Sequence, residues 1–65
     1  MQVGDLIRDK ELGDVGLIVE IDHNHHISYG LRREPAPYLV KGARTLEWLT
    51  ADYIENDCEV ISESR

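Results

Sequence analysis

The amino-acid sequence predicts an all-β fold, a small barrel of five strands with one short helical turn before the last strand. Three observations favour this fold class. Apolar residues alternate with polar ones in short runs, and none of these runs has the spacing of an amphipathic helix. Glycine, proline, asparagine and aspartate interrupt the runs at short intervals, as turns require. The 65 residues are enough for one domain, so we assign residues 1–65 to a single unit.

The stretch from Val3 to Asp22 is predicted to be the opening β-hairpin, around which the other strands are arranged. Its second arm reads Gly-Leu-Ile-Val-Glu-Ile over residues 16–21 and is rich in β-branched side chains. Strict alternation would place Leu17, Val19 and Ile21 on the face that packs in the core.

The first arm of this hairpin is predicted to run over residues 3–8, and the polar segment 9–14 is predicted to be the turn. Gly13 and Gly16 have two interpretations. They serve a β-bulge or a close crossing of strands, or Gly13 only supplies a positive φ in the turn.

The middle of the chain is predicted to supply two further strands. Residues 27–31 alternate apolar and polar side chains, which indicates a third strand. The prolines of segment 32–37 are expected to break the sheet, because proline cannot donate to a strand ladder. Residues 38–41 form either a separate short strand or a continuation of the third after a long bulge. A turn at Gly42-Ala43 is then followed by a strand over residues 44–49.

The last third of the chain is predicted to hold the helical turn and the closing strand. In the strand before it, Leu46 and Trp48 are expected to share one face. Residues 50–54 read as a single helical turn with Thr50 as a possible N-cap. The final strand is predicted over residues 58–62.

Composition limits the classes of function. The single cysteine, Cys58, excludes an internal disulfide and is compatible with a reducing compartment. We find no signal peptide and no apolar run of about 18 residues, so we expect a protein that does not enter a membrane. Its expected location is the cytoplasm. The formal net charge of −6 disfavours sequence-independent binding of nucleic acid.

One stretch departs from this acidity. Arg32, Arg33, Lys41 and Arg44 oppose only Glu34, which gives residues 32–44 a net charge of +3. These bases have three interpretations: a patch that meets phosphate, a patch that meets the acidic end of a second copy, or a scattered solvated surface.

The order of short motifs carries a resemblance to known proteins. The chain has a Val-Gly-Asp-Leu-Ile opening, a Gly-x-x-Gly before an aliphatic strand, then Tyr-Leu-Val, Glu-Trp-Leu and a closing Glu-Val-Ile-Ser. Together these resemble SH3-like barrels, and more narrowly the short uncharacterised barrel proteins of tailed phages, including phages of marine cyanobacteria. The segment 3–21 also resembles the KOW motif of ribosomal and transcription-elongation proteins, whose modules contact RNA or proteins.

The chain has four aromatic side chains, those of Tyr29, Tyr38, Trp48 and Tyr53. In Tudor-type members of the SH3-like class, aromatic side chains on adjacent strands form a cage for methylated lysine or arginine. The resemblance implies such a cage here, and the acidic C-terminal third would favour a cationic ligand. The alternative is that Tyr38 and Trp48 fill the core or line a groove in a chain that has no phenylalanine.

A histidine-rich loop follows the opening hairpin. His23, His25 and His26 lie beside Asp22, and imidazole and carboxylate suit zinc, nickel or copper. The alternatives are a solvated turn and a group that responds to pH near neutrality.

We find no nucleophile and base at recognisable positions, so we expect a protein that binds and does not catalyse, with no cofactor. Our first hypothesis is a protein-interaction module, phage-encoded, that contacts a host protein, a virion component or itself. In it, strand edges and the side with Tyr29, Tyr38 and Trp48 would make contact. The expected location of a phage-encoded module is the cytoplasm of the host cell, with the virion as the alternative. The second is a KOW-like nucleic-acid or transcription-complex binder that uses the basic stretch. The third is a small metal-dependent protein that uses the histidine loop.

Overall fold

A computed structural model of the protein describes residues 1–63, which form seven strands and one short helix. In chain order these are β1 (Leu6–Asp9), β2 (Val15–Ile21), β3 (His26–Tyr29), β4 (Arg32–Pro35), β5 (Tyr38–Lys41), β6 (Leu46–Leu49), α1 (Ala51–Asn56) and β7 (Cys58–Ser62). The prediction of a small, mostly β domain with one helical turn before the last strand is confirmed.

Five of the strands form one antiparallel sheet with the order β6-β5-β2-β1-β7. Strands β6 and β7 are its two edges, and within residues 1–63 they do not pair with each other, so the sheet is open. The helix α1 connects these two edge strands. Strands β3 and β4, which follow β2 and precede β5 in the chain, form a separate two-stranded sheet.

The core is formed by side chains of the five-stranded sheet together with one side chain of α1. Ile7, Ile18, Val40, Ile54 and Cys58 are buried there, and Ile18 and Ile54 are fully inaccessible. Partly buried side chains pack against them: Ile21, Tyr38, Leu49 and Tyr53. The core is small, because a chain of this length buries a limited share of its surface.

The prediction that Leu17, Val19 and Ile21 face the core is wrong at the centre of β2. Leu17 and Val19 are only half-buried, whereas Ile18 is fully buried. Ile18 pairs with Val40 and Glu20 pairs with Leu39, so Val19 has no partner of its own and forms a β-bulge. The bulge resets the alternation, so that Ile18 and Ile21 both reach the core.

The prediction that residues 32–37 break the sheet is also wrong. Residues 32–35 form β4 and pair with β3, with Tyr29 opposite Arg32 and His26 opposite Pro35. Gly30 and Leu31 are the two central residues of the turn between these strands. Gly30 has φ +60° and Leu31 does not have a positive φ, which is the pattern of a type II′ turn. Leu31 therefore lies in this turn and not in the third strand. Pro35 is tolerated because it ends a short strand.

The turn between β1 and β2 is built around Asp9. Its carboxylate accepts hydrogen bonds from the backbone N–H groups of Glu11 (2.8 Å) and Leu12 (2.7 Å), and Gly13 has φ +78°. Gly16 has a different role, because a Cβ there would lie 2.4 Å from Val40 Cγ1. Thus Gly13 supplies the positive φ and Gly16 allows the close approach of β2 and β5.

The helix α1 begins as the sequence predicts. The Thr50 hydroxyl accepts a hydrogen bond from the backbone N–H of Tyr53 (3.2 Å), and Asp52 lies in the first turn. Ile54 is the helix residue that is buried in the core. No helix formed by residues 1–63 has the length and apolarity needed to cross a bilayer.

Candidate functional site: an aromatic pocket beside the edge strand

Three of the four aromatic side chains line one pocket at the free edge of β6. Tyr29 comes from the β3–β4 hairpin, Trp48 from β6 and Tyr53 from α1. The pocket has a volume of about 230 Å³ and is completed by Ile27, Glu47, Leu49 and Thr50. We call this set of residues the aromatic pocket. It lies where residues of β3, β6 and α1 meet.

The Trp48 ring is held in place by His25. The two rings are stacked, with centroids 4.0 Å apart and an interplanar angle of 15°. The Nδ1–H of His25 donates to the backbone carbonyl oxygen of Ala36 (3.0 Å), because a carbonyl oxygen can only accept. Ala36 is itself fully buried. This chain of contacts attaches the base of the β3–β4 hairpin to the five-stranded sheet.

The Tyr53 ring is held by a hydrogen bond from its hydroxyl group to the carboxylate of Asp9, which is buried in the β1–β2 turn. The bond from Tyr53 holds the pKa of Asp9 below its usual value, and the N–H of Leu12 acts in the same direction. The same bond and burial raise the pKa of Tyr53 above its usual value. Tyr53 is therefore a fixed, neutral wall of the pocket at any physiological pH.

Glu47 gives the pocket its charge. Its carboxylate is exposed on β6 and forms no ion pair within the described part of the chain. A carboxylate beside three aromatic faces attracts a cation, because each ring face is the negative end of a quadrupole. The sequence did not predict Glu47 and Ile27 as pocket residues. For Glu47 the reason is that the alternation of β6 assigns it to a different face from Trp48. Glu47 also lines a second cavity of the molecule.

The predicted partner-binding residues do not form one surface. Tyr38 lies on β5, packs against the core as the core interpretation expects, and does not line the aromatic pocket. Arg32 and Arg33 lie on the β3–β4 sheet, where Arg32 pairs with Glu34 (3.1 Å). Lys41 and Arg44 belong to the other sheet and the turn after β5. The basic stretch of the sequence is thus divided between two sheets.

The histidine loop does not assemble a metal site. His25 is half-buried against Trp48, and His26 donates from Nδ1 to the carbonyl oxygen of Asn24 (3.0 Å). His23 is exposed in the turn. Among residues 1–63, no three histidine, cysteine, aspartate or glutamate side chains are grouped so that they could hold a metal ion. The metal alternative therefore has no site in this part of the molecule.

A second, larger concavity lies between the β1–β2 turn and the β5–β6 turn. It has a volume of about 400 Å³, and its floor includes Ile7 and Val40. Its rim combines apolar Val15 with charged Asp14 and Arg44. We call it the end cleft. Cys58 also lines it, but burial raises the pKa of the Cys58 thiol, which keeps the thiol protonated and a poor nucleophile.

Comparisons of the chain with protein-family models, with curated proteins and with solved structures gave no match.

Proposed function

We propose that the protein is a non-catalytic binding module with an SH3-like barrel fold, and that its aromatic pocket takes a cationic side chain of a partner protein. The fold assignment is supported by the strand order β6-β5-β2-β1-β7 and by the helical turn between the two edge strands. In this assignment the β3–β4 hairpin is an insertion between the second and third strands of a five-stranded unit whose last strand, β7, pairs with its first, β1.

The observation that carries the ligand class is the convergence of Tyr29, Trp48 and Tyr53 with the Glu47 carboxylate. Two of the three rings are fixed before any ligand arrives, Trp48 by His25 and Tyr53 by Asp9. Pre-organised rings lower the entropic cost of binding. A lysine, a methylated lysine or an arginine on an exposed peptide segment has the charge and the shape for such a pocket.

The absence of catalysis in this proposal is supported by the protonation of the buried groups. Tyr53 and Cys58 both line the end cleft, and each has a pKa shifted toward its neutral form. Neither is activated as a base or a nucleophile, since activation would require the opposite shift. The phage origin of the chain and the identity of its partner stay predictions.

The test is calorimetric titration with short peptides that carry lysine, trimethyllysine or its uncharged tert-butyl isostere at one position. We expect the charged peptide to bind about threefold to thirtyfold more tightly than the uncharged isostere, which is the size of a cation–π contribution. Trp48→Ala and Glu47→Gln should weaken binding of the charged peptide.

The matched control is Leu31→Ala, because Leu31 is exposed and does not line the aromatic pocket. This variant should bind the charged peptide as the unmodified chain does. Equal affinity for the charged peptide and its uncharged isostere would overturn the proposal, as would unchanged affinity in both pocket variants.

A further inference from the structure

We propose a second interaction, whose deciding residues Leu31, Arg33 and Asp14 do not line the aromatic pocket: the tip of the β3–β4 hairpin of one copy inserts into the end cleft of a second copy. The hairpin tip is the segment Tyr29–Arg33. Head-to-tail contact of this kind uses two different surfaces on each molecule, so every copy can bind two neighbours.

The first argument is the exposure of the hairpin tip. Leu31 is fully exposed at the tip, with a relative accessibility of 107%, and so does not occupy the end cleft of its own molecule. A leucine held on a type II′ turn projects a large apolar side chain into solvent at a fixed position. The end cleft has room for a leucine side chain at about 400 Å³ and offers the apolar floor of Ile7 and Val40.

The second argument is charge complementarity. The hairpin of residues 26–35 has two arginines and one glutamate, which leaves the rest of the chain with a net charge of −7. Arg33 is opposite Ser28, on the face of the hairpin turned away from Ile27 and Tyr29, and makes no ion pair within residues 1–63. It is therefore free to meet an acidic group on another molecule.

Two exposed acidic residues line the end cleft, Glu47 of β6 and Asp14 of the β1–β2 turn, and the proposed contact uses Asp14. Its carboxylate is exposed, and the ion pairs formed within the described residues do not include it. Arg44 lies on the same rim and opposes the approach of a second arginine, so the interaction depends on the side of the cleft formed by the β1–β2 turn. We accordingly pair Arg33 with Asp14 and place Leu31 on the cleft floor.

The contact is small, since the hairpin tip has far fewer residues than the roughly 20–30 per side of a stable interface. We therefore expect weak association that depends on concentration. The ionic part is screened by salt, so association should also weaken as the ionic strength rises.

Sedimentation equilibrium of the full chain over a wide concentration range tests the proposal. The average mass should rise continuously with concentration and pass the mass of a dimer, because a head-to-tail contact does not stop at two copies unless a ring closes. Leu31→Ser and Asp14→Lys should each weaken association by at least about tenfold, which is the effect of substituting a residue that contributes strongly to the binding energy of an interface. Monomers at every concentration would overturn the proposal.

A mixture of the two variants gives the sharper result. Leu31→Ser retains an intact end cleft and Asp14→Lys retains an intact hairpin tip, so the mixture should form a dimer with one copy of each variant and grow no further. A symmetric contact between two hairpin tips would leave Asp14→Lys associated like the unmodified chain and the mixture no better associated than Asp14→Lys alone, which would overturn the proposal.

The matched controls are Ile61→Ser and Glu55→Lys, which change an exposed apolar and an exposed acidic residue outside both surfaces. Both should associate as the unmodified chain does, and a loss in either would contradict the assigned surface. Leu31 and Asp14 do not line the aromatic pocket. Binding of the cationic peptide should therefore persist in both association variants, so failure of one proposal can be told from failure of the other.

Discussion

At the scale of single residues, the hydrogen bond from Tyr53 to Asp9 joins α1 to the β1–β2 turn. It also makes the stability of the fold depend on pH at both extremes. The lowered pKa of Asp9 in the folded state means that this carboxylate stabilises the fold above its unfolded pKa of about 3.8. That stability is lost as the pH falls through the folded pKa. The raised pKa of Tyr53 acts in the opposite direction at alkaline pH.

The alkaline effect yields a specific prediction for Tyr53→Phe. In the unmodified chain, the unfolded state releases the tyrosine proton at pH about 10 while the folded state retains it, so the free energy of unfolding should fall as the pH rises above that value. Tyr53→Phe should be less stable at neutral pH, because Asp9 loses a donor, and should show a smaller alkaline loss.

Urea denaturation from acidic to alkaline pH measures both effects for Tyr53→Phe. Tyr29→Phe is the matched control, since Tyr29 is 60% exposed and its hydroxyl has no partner within residues 1–63. An alkaline loss of the same size in Tyr53→Phe and the unmodified chain would contradict the prediction.

Gly16 provides a second prediction for a single residue. Gly16→Ala would place a Cβ against Val40 Cγ1, and the resulting overpacking should destabilise the fold by about 1–3 kcal/mol. Val40→Ala removes that methyl group, so the double variant should be less destabilised than the sum of the two single variants. Urea denaturation of the three variants measures this coupling, and strict additivity would show that the close contact is not the cause.

At the scale of elements, α1 depends on its N-cap because six residues are too few for a helix that is stable by itself. Thr50→Ala should lower the free energy of unfolding by about 0.5–2 kcal/mol, since it leaves the N–H of Tyr53 without its acceptor. Thr50→Ser retains the hydroxyl group and should lose much less. Equal losses in the two variants, measured in urea, would assign the effect to the methyl group of Thr50.

Elements with a local physical signal were predicted well from the sequence. The polar turn at residues 9–14, the N-cap Thr50 and the last strand follow from turn and capping preferences that act within a few residues. The inward face of β2 could not be predicted, because the bulge at Val19 depends on the register of β2 against β5, which are about 20 residues apart in the chain. Proline misled the prediction at β4, where Pro35 lies at a strand end.

The candidate site was predictable only in part, for the same reason. The aromatic side chains can be identified from the sequence, but their arrangement cannot. The position of the β3–β4 hairpin decides that Tyr29, Trp48 and Tyr53 line one pocket, and Tyr38 does not line it. The aromatic residues are brought together by the fold, whereas the residues of the basic stretch are separated by it. Arg33 and Lys41 are close in the sequence, yet they lie on different sheets once β4 and β5 form separate ladders.

At the scale of the whole molecule, the β3–β4 hairpin is an attachment to a complete five-stranded sheet. The backbone N–H of Ala36 donates to the carbonyl oxygen of His25 (2.9 Å), so the two ends of the hairpin are already adjacent. Replacement of residues 26–35 by a Gly-Gly turn should leave a folded domain with a cooperative thermal transition, because the residues of the buried core lie outside this segment.

The shortened chain should lose both proposed interactions. It lacks Ile27 and Tyr29 of the aromatic pocket and the whole hairpin tip, so calorimetry should detect no binding of the trimethyllysine peptide and sedimentation should show a monomer. Its circular dichroism spectrum and melting curve report whether the domain remains folded. A folded shortened chain that still associates would contradict the role given to the hairpin.

The stacking of His25 on Trp48 has an optical consequence. Trp48 is the only tryptophan in the chain, so the intrinsic fluorescence of the protein at long excitation wavelengths arises from one indole ring. Because that ring lies against an imidazole at the base of the hairpin, its quantum yield and emission maximum report directly on the docking of the hairpin. A change in emission that precedes global unfolding would reveal the hairpin detaching from an intact sheet, without any label.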